Sequence, residues 1–267
     1  MSIITQCVGS LEYLTADNIS APHCFTTRLG GVSTGIFDSL NLSLSRGDEQ
    51  ANVVENYRRV GEILGFTPED VVNARQIHSD IVVRVGRQHR GMLTVPGASP
   101  ECDALITDEP GVVLYVSTAD CTPILLHDPV TGAVGAAHAG WRGTAADIAG
   151  KTVRAMCREF GCKAEDIHAA IGPNIGICCF ETDADVPDAL IAALGAEAQP
   201  HIRPKGNKYY VNLKEINACF LRRAGVKSID ISRDCTMCQP DRFWSHRYTK
   251  GRRGAQGALI RCKEELE

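Results

Sequence analysis

Gly135-Ala136-Ala137-His138-Ala139-Gly140-Trp141-Arg142-Gly143 sets a lone imidazole among small residues, with an apolar run, Ala133–Ala137, before it and a helical pattern after it. That order predicts strand, turn, helix, with His138 on the turn. The helix is expected over 144–160, with Ile148, Val153 and Met156 on its apolar side. Its first turn would offer unpaired N–H groups to an anion, with Arg142 assisting. Upstream lie two side chains of matching chemistry, Cys121 in Thr118-Ala119-Asp120-Cys121-Thr122-Pro123 and His78 in Arg75-Gln76-Ile77-His78-Ser79. Two imidazoles and a thiolate make a three-ligand metal site with one position open. The same residues also suit a hydrogen-bonded structural histidine and a buried thiol, and spacing alone leaves both readings standing.

Composition narrows the class. With 267 residues, 44% of them hydrophobic, the chain can bury a large core. Its 28 basic and 32 acidic residues leave a net charge of -4, so no electrostatic argument favours nucleic acid as a partner. Met1-Ser2-Ile3-Ile4-Thr5-Gln6-Cys7 lacks the basic start and apolar core of a signal peptide, and no run is long enough to span a membrane. A cytoplasmic protein is expected, with its twelve cysteines reduced and mostly in the core.

After a short polar start, a strand-like run from Cys24 breaks at Gly30-Gly31 and reads as a surface hairpin or a place of close backbone approach. Arg28, beside it, suits bidentate grip on an anion. Residues 49–65 carry Val53, Tyr57, Val60 and Leu64 at helical spacing. Short strands are expected at 71–74, 81–85, 103–107, 112–116, 124–127, 133–137, 167–171, 209–213, 228–231 and 256–261, and helices at 186–194 and 214–224. His78 then falls on a connection, while Cys121 and His138 sit at strand ends that meet at a sheet rim if those strands are neighbours. Cys235-Thr236-Met237-Cys238 is a C-x-x-C pair capable of zinc or redox chemistry, but the sequence has no second C-x-x-C and no paired His to complete it.

Taken together, Thr26–Ser33, Gln76–Ser79, Asp103–Thr107, Ala119–Cys121, His138–Gly143, Ile171–Pro173 and Phe243–Arg247 resemble, in order and over nearly the whole chain, the laccase-domain family once called multicopper polyphenol oxidases. Its members are regarded as zinc-dependent purine nucleoside phosphorylases that also deaminate adenosine. The resemblance implies an α/β fold, a single domain over 1–267 with a β-sandwich-like mixed sheet core and surrounding helices. It implies His78, Cys121 and His138 as ligands of zinc, with copper also suited to such donors. Arg28 and Asn41 fall in the segment that borders the family's substrate pocket, and Arg247 matches its tail motif. That tail departs from the family, reading Ser245-His246-Arg247-Tyr248, so Arg252 and Arg253 have no counterpart.

An open His₂Cys zinc site suits hydrolytic attack on C6 of adenosine, with Asp120 placed to shuttle a proton. Phosphorolysis needs in addition an anion pocket, for which Arg28, Arg142 and the helix start are the candidates. The expected partners are purine nucleosides and phosphate, for a monomer or homodimer. A second reading takes Cys121 as nucleophile and His138 as base, a cysteine hydrolase or an amidase editing peptidoglycan precursors. Copper oxidase chemistry fits poorly, because eight His without a single H-x-H pair cannot build a trinuclear cluster.

Overall fold

The structure, a computed structural model, describes residues 2–91, 93–95 and 97–263. The chain opens with β1 (Ile3–Val8), β2 (Leu11–Ala16) and β3 (His23–Thr26), and α1 (Gln50–Leu64) follows. Next come β4 (Val71–Asn73), β5 (Val82–Arg84), β6 (Ala104–Thr107), β7 (Val113–Thr118), β8 (Thr122–His127) and β9 (Val134–Ala139). Then follow α2 (Trp141–Ala145), α3 (Ile148–Phe160), β10 (His168–Ile171), β11 (Glu181–Thr182) and α4 (Asp185–Leu194). The last elements are β12 (Ile202–Lys205), β13 (Lys208–Val211), α5 (Leu213–Arg223), β14 (Ser228–Ile231), α6 (His246–Thr249) and β15 (Gln256–Arg261).

Two mixed six-stranded sheets, ordered β1-β2-β3-β15-β7-β4 and β14-β10-β8-β9-β6-β5, form the sandwich, and β11-β13-β12 make a small third sheet. Alternation along the strands builds three layers of core. Leu14, Phe25, Leu114, Val116 and Ile260 of the first sheet meet Leu105, Leu125, Val134 and Ala170 of the second. The alternate residues of the second sheet, Ile106, Ile124, Leu126 and Ala137, pack under Val153 and Met156 of α3, Leu190 of α4 and Ile216 of α5. On the outer face of the first sheet, Val113, Tyr115 and Leu259 pack against Val53, Tyr57 and Val60 of α1. Each fully buried Val, Leu, Ile, Phe or Met among them contributes about 1.5–3 kcal/mol, so the strand alternation specifies the layering.

Three local expectations are revised. The polar start is a paired hairpin, β1–β2, turning at Gly9-Ser10. Residues 144–160 are not one helix: α2 starts earlier, at Trp141, and ends at Ala145, and Asp147, at φ 59°, caps α3 by accepting from the Gly150 N–H at 3.0 Å. The double glycine is no hairpin, since Gly31 lies so close to the backbone of Ser39 and Leu40 that a Cβ there would fall 2.2 Å from the Ser39 carbonyl oxygen. Its role is close approach of the chain to itself. Among the described residues no helix is long and apolar enough to cross a membrane.

Candidate metal centre and adjoining cavity

His138 is the penultimate residue of β9 rather than part of a turn, and it pairs with Pro123 of β8. Cys121 immediately precedes β8, on the connection that crosses from the first sheet to the second. His78 lies on the other such crossing, between β4 and β5, at φ 60°. The seam between the two sheets therefore brings together three residues distant in sequence. Their ligand atoms lie within 4.8 Å of one another, and the two imidazole rings meet edge to face at 5.0 Å. Gly140 makes room for them, because a Cβ there would fall 2.9 Å from Cδ2 of His78 and 3.4 Å from the Cys121 sulfur.

Asp103, fully buried, organises the cluster. Its carboxylate accepts from the backbone N–H groups of Ile77, His78 and Ser79 at 3.2, 3.1 and 2.6 Å and from the Ser79 hydroxyl at 2.7 Å. It also accepts from Nδ1 of His138 at 2.8 Å, which leaves Nε2 for a ligand. Burial alone would push this carboxyl up, but the hydrogen bonds from His138 and Ser79 outweigh it and hold the group down at about 2. Likewise, burial opposes ionisation of Cys121, yet the charge of His138 and hydrogen bonds from both imidazoles bring the thiol down to about 6. Burial disfavours the imidazolium of His138, but Cys121 and Asp103 raise the group to about 9. Two nitrogens and an easily ionised thiol, oriented by a carboxylate, fit a zinc-type ion, and among the described residues the three face a cavity with no fourth His, Cys or carboxylate in the group.

That cavity, about 380 Å³, is lined by His78, Cys121 and His138 together with Arg46, Arg253, Gln76, Tyr115 and Leu93, among others. Gln76 is held by a two-way amide pairing with Ser117 of β7 at 2.7 and 2.8 Å, which pins the segment bearing His78. Arg253 carries the local positive charge: burial and the neighbouring Arg46 lower its guanidinium to about 10, and its Nε is buried with no hydrogen-bond partner. Its Nη1 donates to the Gly254 carbonyl at 2.8 Å, and a guanidinium with its buried Nε unpaired beside a cavity suits an anion.

The other residues singled out from the sequence do not line this cavity. Arg28 stacks over Trp244 at 4.0 Å and donates to the carbonyls of Asp38 and Pro240. Asn41, fully buried, accepts from the N–H groups of Ser43 and Ala255 and donates to Asp48, so it ties the loop bearing Arg46 to the strand that follows Arg253. Asp120 has both carboxylate oxygens engaged, by the Thr236 hydroxyl at 2.6 Å and the Arg247 N–H at 2.7 Å. The Arg247 guanidinium donates to the Glu181 carbonyl, and Arg142 is exposed over Trp141. Asp103 and Arg46 were not singled out from the sequence, and Arg253 was left in a basic loop, Lys250–Gly254, that reads either as solvated or as offering a substrate-facing arginine. Asp103 heads a quoted apolar motif, but its aim depends on the crossing segment that folds over it, and a basic residue in a Gly-rich loop looks the same whether solvated or facing a cavity.

Comparison with known proteins places the fold and the family. A curated relative from Geobacillus stearothermophilus, named purine nucleoside phosphorylase YlmD, is 41% identical over 245 residues, spanning 90% of this chain and 89% of the relative. One from Deinococcus radiodurans, named purine nucleoside phosphorylase, is 39% identical over 250 residues, 94% of this chain and 92% of that protein. The crystal structure of YlmD from Geobacillus stearothermophilus superposes with a TM-score of 0.92 at 38% identity, covering 98% of this chain and all of that one. Residues 22–263 match the family described as multi-copper polyphenol oxidoreductase laccase, and the chain belongs to that family.

Proposed function

We propose that this chain is a zinc-dependent purine nucleoside phosphorylase, acting on adenosine, inosine, guanosine and methylthioadenosine, and that the same site deaminates adenosine. The observation that carries the reading is one cavity lined both by an open His₂Cys cluster and by Arg253, whose buried Nε has no hydrogen-bond partner. The names of the relatives point the same way. Zinc bound to His78, Cys121 and His138 would supply Lewis acidity for polarising water or a substrate atom. Asp103 fixes the tautomer of His138 and holds the His78 segment. Arg253, with Arg46, takes phosphate beside the ribose and stabilises its charge as the glycosidic bond breaks. Arg28, Asn41, Asp120 and Arg247 act by holding the walls of the cavity, and Arg142 has no part in the chemistry.

A second reading is favoured by one observation, the depressed thiol of Cys121 beside the raised imidazole of His138. A thiolate–imidazolium pair of that kind serves a cysteine amidase. The test is the product spectrum of metal-quantified protein given adenosine with and without phosphate, with His138→Ala as control. Inosine in both cases, with adenine and ribose-1-phosphate only when phosphate is present, supports the phosphorylase and deaminase reading. Nucleosides returned unchanged by zinc-loaded protein would defeat it, and turnover of amide substrates by zinc-free protein, blocked by alkylation of Cys121, would establish the second.

A further inference from the structure

The C-x-x-C pair has partners that are invisible in the sequence. Strands β10 and β14 are parallel neighbours, His168 opposite Ser228 through Ile171 opposite Ile231, so their C-terminal loops leave the sheet side by side. The pairing continues beyond the strands through Ser232 N–H to the Ile171 carbonyl at 2.8 Å and Thr236 N–H to the Asn174 carbonyl at 2.9 Å. This lays Cys178 and Cys179 of one loop against Cys235 and Cys238 of the other.

All four sulfurs lie within 4.8 Å of one another, with Cys238 3.5 Å from Cys178 and 3.3 Å from Cys179. A tetrahedral zinc site with bonds of about 2.3 Å has sulfur–sulfur edges of about 3.8 Å, which falls between the two shortest contacts and the 4.8 Å that bounds the set. None of the four is in a disulfide. The Gly176 N–H donates to the Cys235 sulfur at 3.1 Å, an interaction that supports thiolate charge. Lys214, nearly fully buried, donates to the Asp234 carbonyl at 2.6 Å and places an ammonium beside the cluster, where a tetrathiolate would carry excess negative charge.

We propose that Cys178, Cys179, Cys235 and Cys238 form a closed structural zinc site that clasps the two loops together. Such a site has no open position and no catalytic task. Its reach to the chemistry is mechanical, because the clasped loops hold Asp120: the Ile175 N–H donates to its carbonyl at 3.0 Å and the Thr236 hydroxyl to its carboxylate at 2.6 Å. Asp120 is the residue before Cys121, so the clasp steadies one ligand of the open site.

The test is metal content of the reduced full-length protein, read with the absorption spectrum after cobalt substitution during growth. The expected result is one zinc for each cluster, with His138→Ala losing one and retaining the intense sulfur-to-cobalt band of a tetrathiolate. The double variant Cys178→Ser/Cys238→Ser, which alters the two exposed cysteines, should lose the other zinc and that band while keeping metal at the open site; Cys178→Ser alone serves if the double variant does not fold. A His138→Ala protein that folds but holds no zinc would overturn the proposal, as would intact mass and thiol counts showing disulfides among these four cysteines under reducing purification.

Discussion

Two clusters that differ in chemistry lie at the same end of the second sheet, about Asp120. At the first, His78, Cys121 and His138 come from two crossings between sheets and a strand end, and they are oriented by the buried carboxylate of Asp103. At the second, four cysteines come from two adjacent loops, with no imidazole in the group. The first opens on a cavity lined by Arg46 and Arg253; the second lies between two loops. The difference teaches that a three-donor set beside a charged cavity suits reaction, whereas a four-donor set between loops suits support. It also shows why a local motif is a poor guide here, since neither cluster is contained in one stretch of sequence.

The contrast can be broken most decisively at His138. His138→Ala should lower phosphorolysis and deamination together by on the order of 10³-fold or more, read as kcat/KM with metal content measured in parallel. Retention of either activity at wild-type level would remove the open cluster from that reaction.

Arg253→Gln should separate the two activities. Phosphorolysis is expected to fall on the order of 10²–10³-fold, with a raised KM for phosphate, while deamination, which needs no anion, changes far less. Equal losses in both would show that Arg253 shapes the cavity instead of holding phosphate.

Acid sets the floor beneath any comparison of the two clusters. His127 is 3% exposed, its Nδ1 has no hydrogen-bond partner, and burial, with His168 and Lys263 nearby, depresses it from 6.5 to about 4. A base whose folded value is depressed contributes its stability fully above about 6.5 and loses it as the pH falls towards 4. The shift corresponds to about 3 kcal/mol, and His127→Gln should flatten the fall in unfolding free energy over that range in urea titrations. An unchanged pH slope would show that His127 is not its source.

Asp103→Asn should have the smallest effect, weakening zinc at the open cluster by about 10–100-fold while leaving the cysteine cluster's zinc in place, as measured by competition with a chromophoric chelator. Equal weakening of both would dissolve the distinction between them.

Periodicity carried much of the architecture. The helix read over 49–65 is α1, and the strand read over 256–261 is β15, because an apolar stripe or alternation is a local property that survives folding. The expected helix over 144–160 failed at Asp147, where a side-chain cap restarts the helix against propensity. Cys178-Cys179 was passed over because adjacent thiols have no metal spacing of their own; only the parallel register of β10 on β14 supplies the other two.

The sequence by itself determined the α/β alternation and the family motifs, and it nominated His78, Cys121 and His138, since each rests on residue type and order. Tertiary structure alone decided that Asp103 aims at His138, that Arg253 rather than Arg28 faces the cavity, and that four distant cysteines converge. Those facts depend on which loops cross between sheets and which strands lie side by side. Sheet pairing is a long-range choice made by burying apolar faces, and no single segment encodes it.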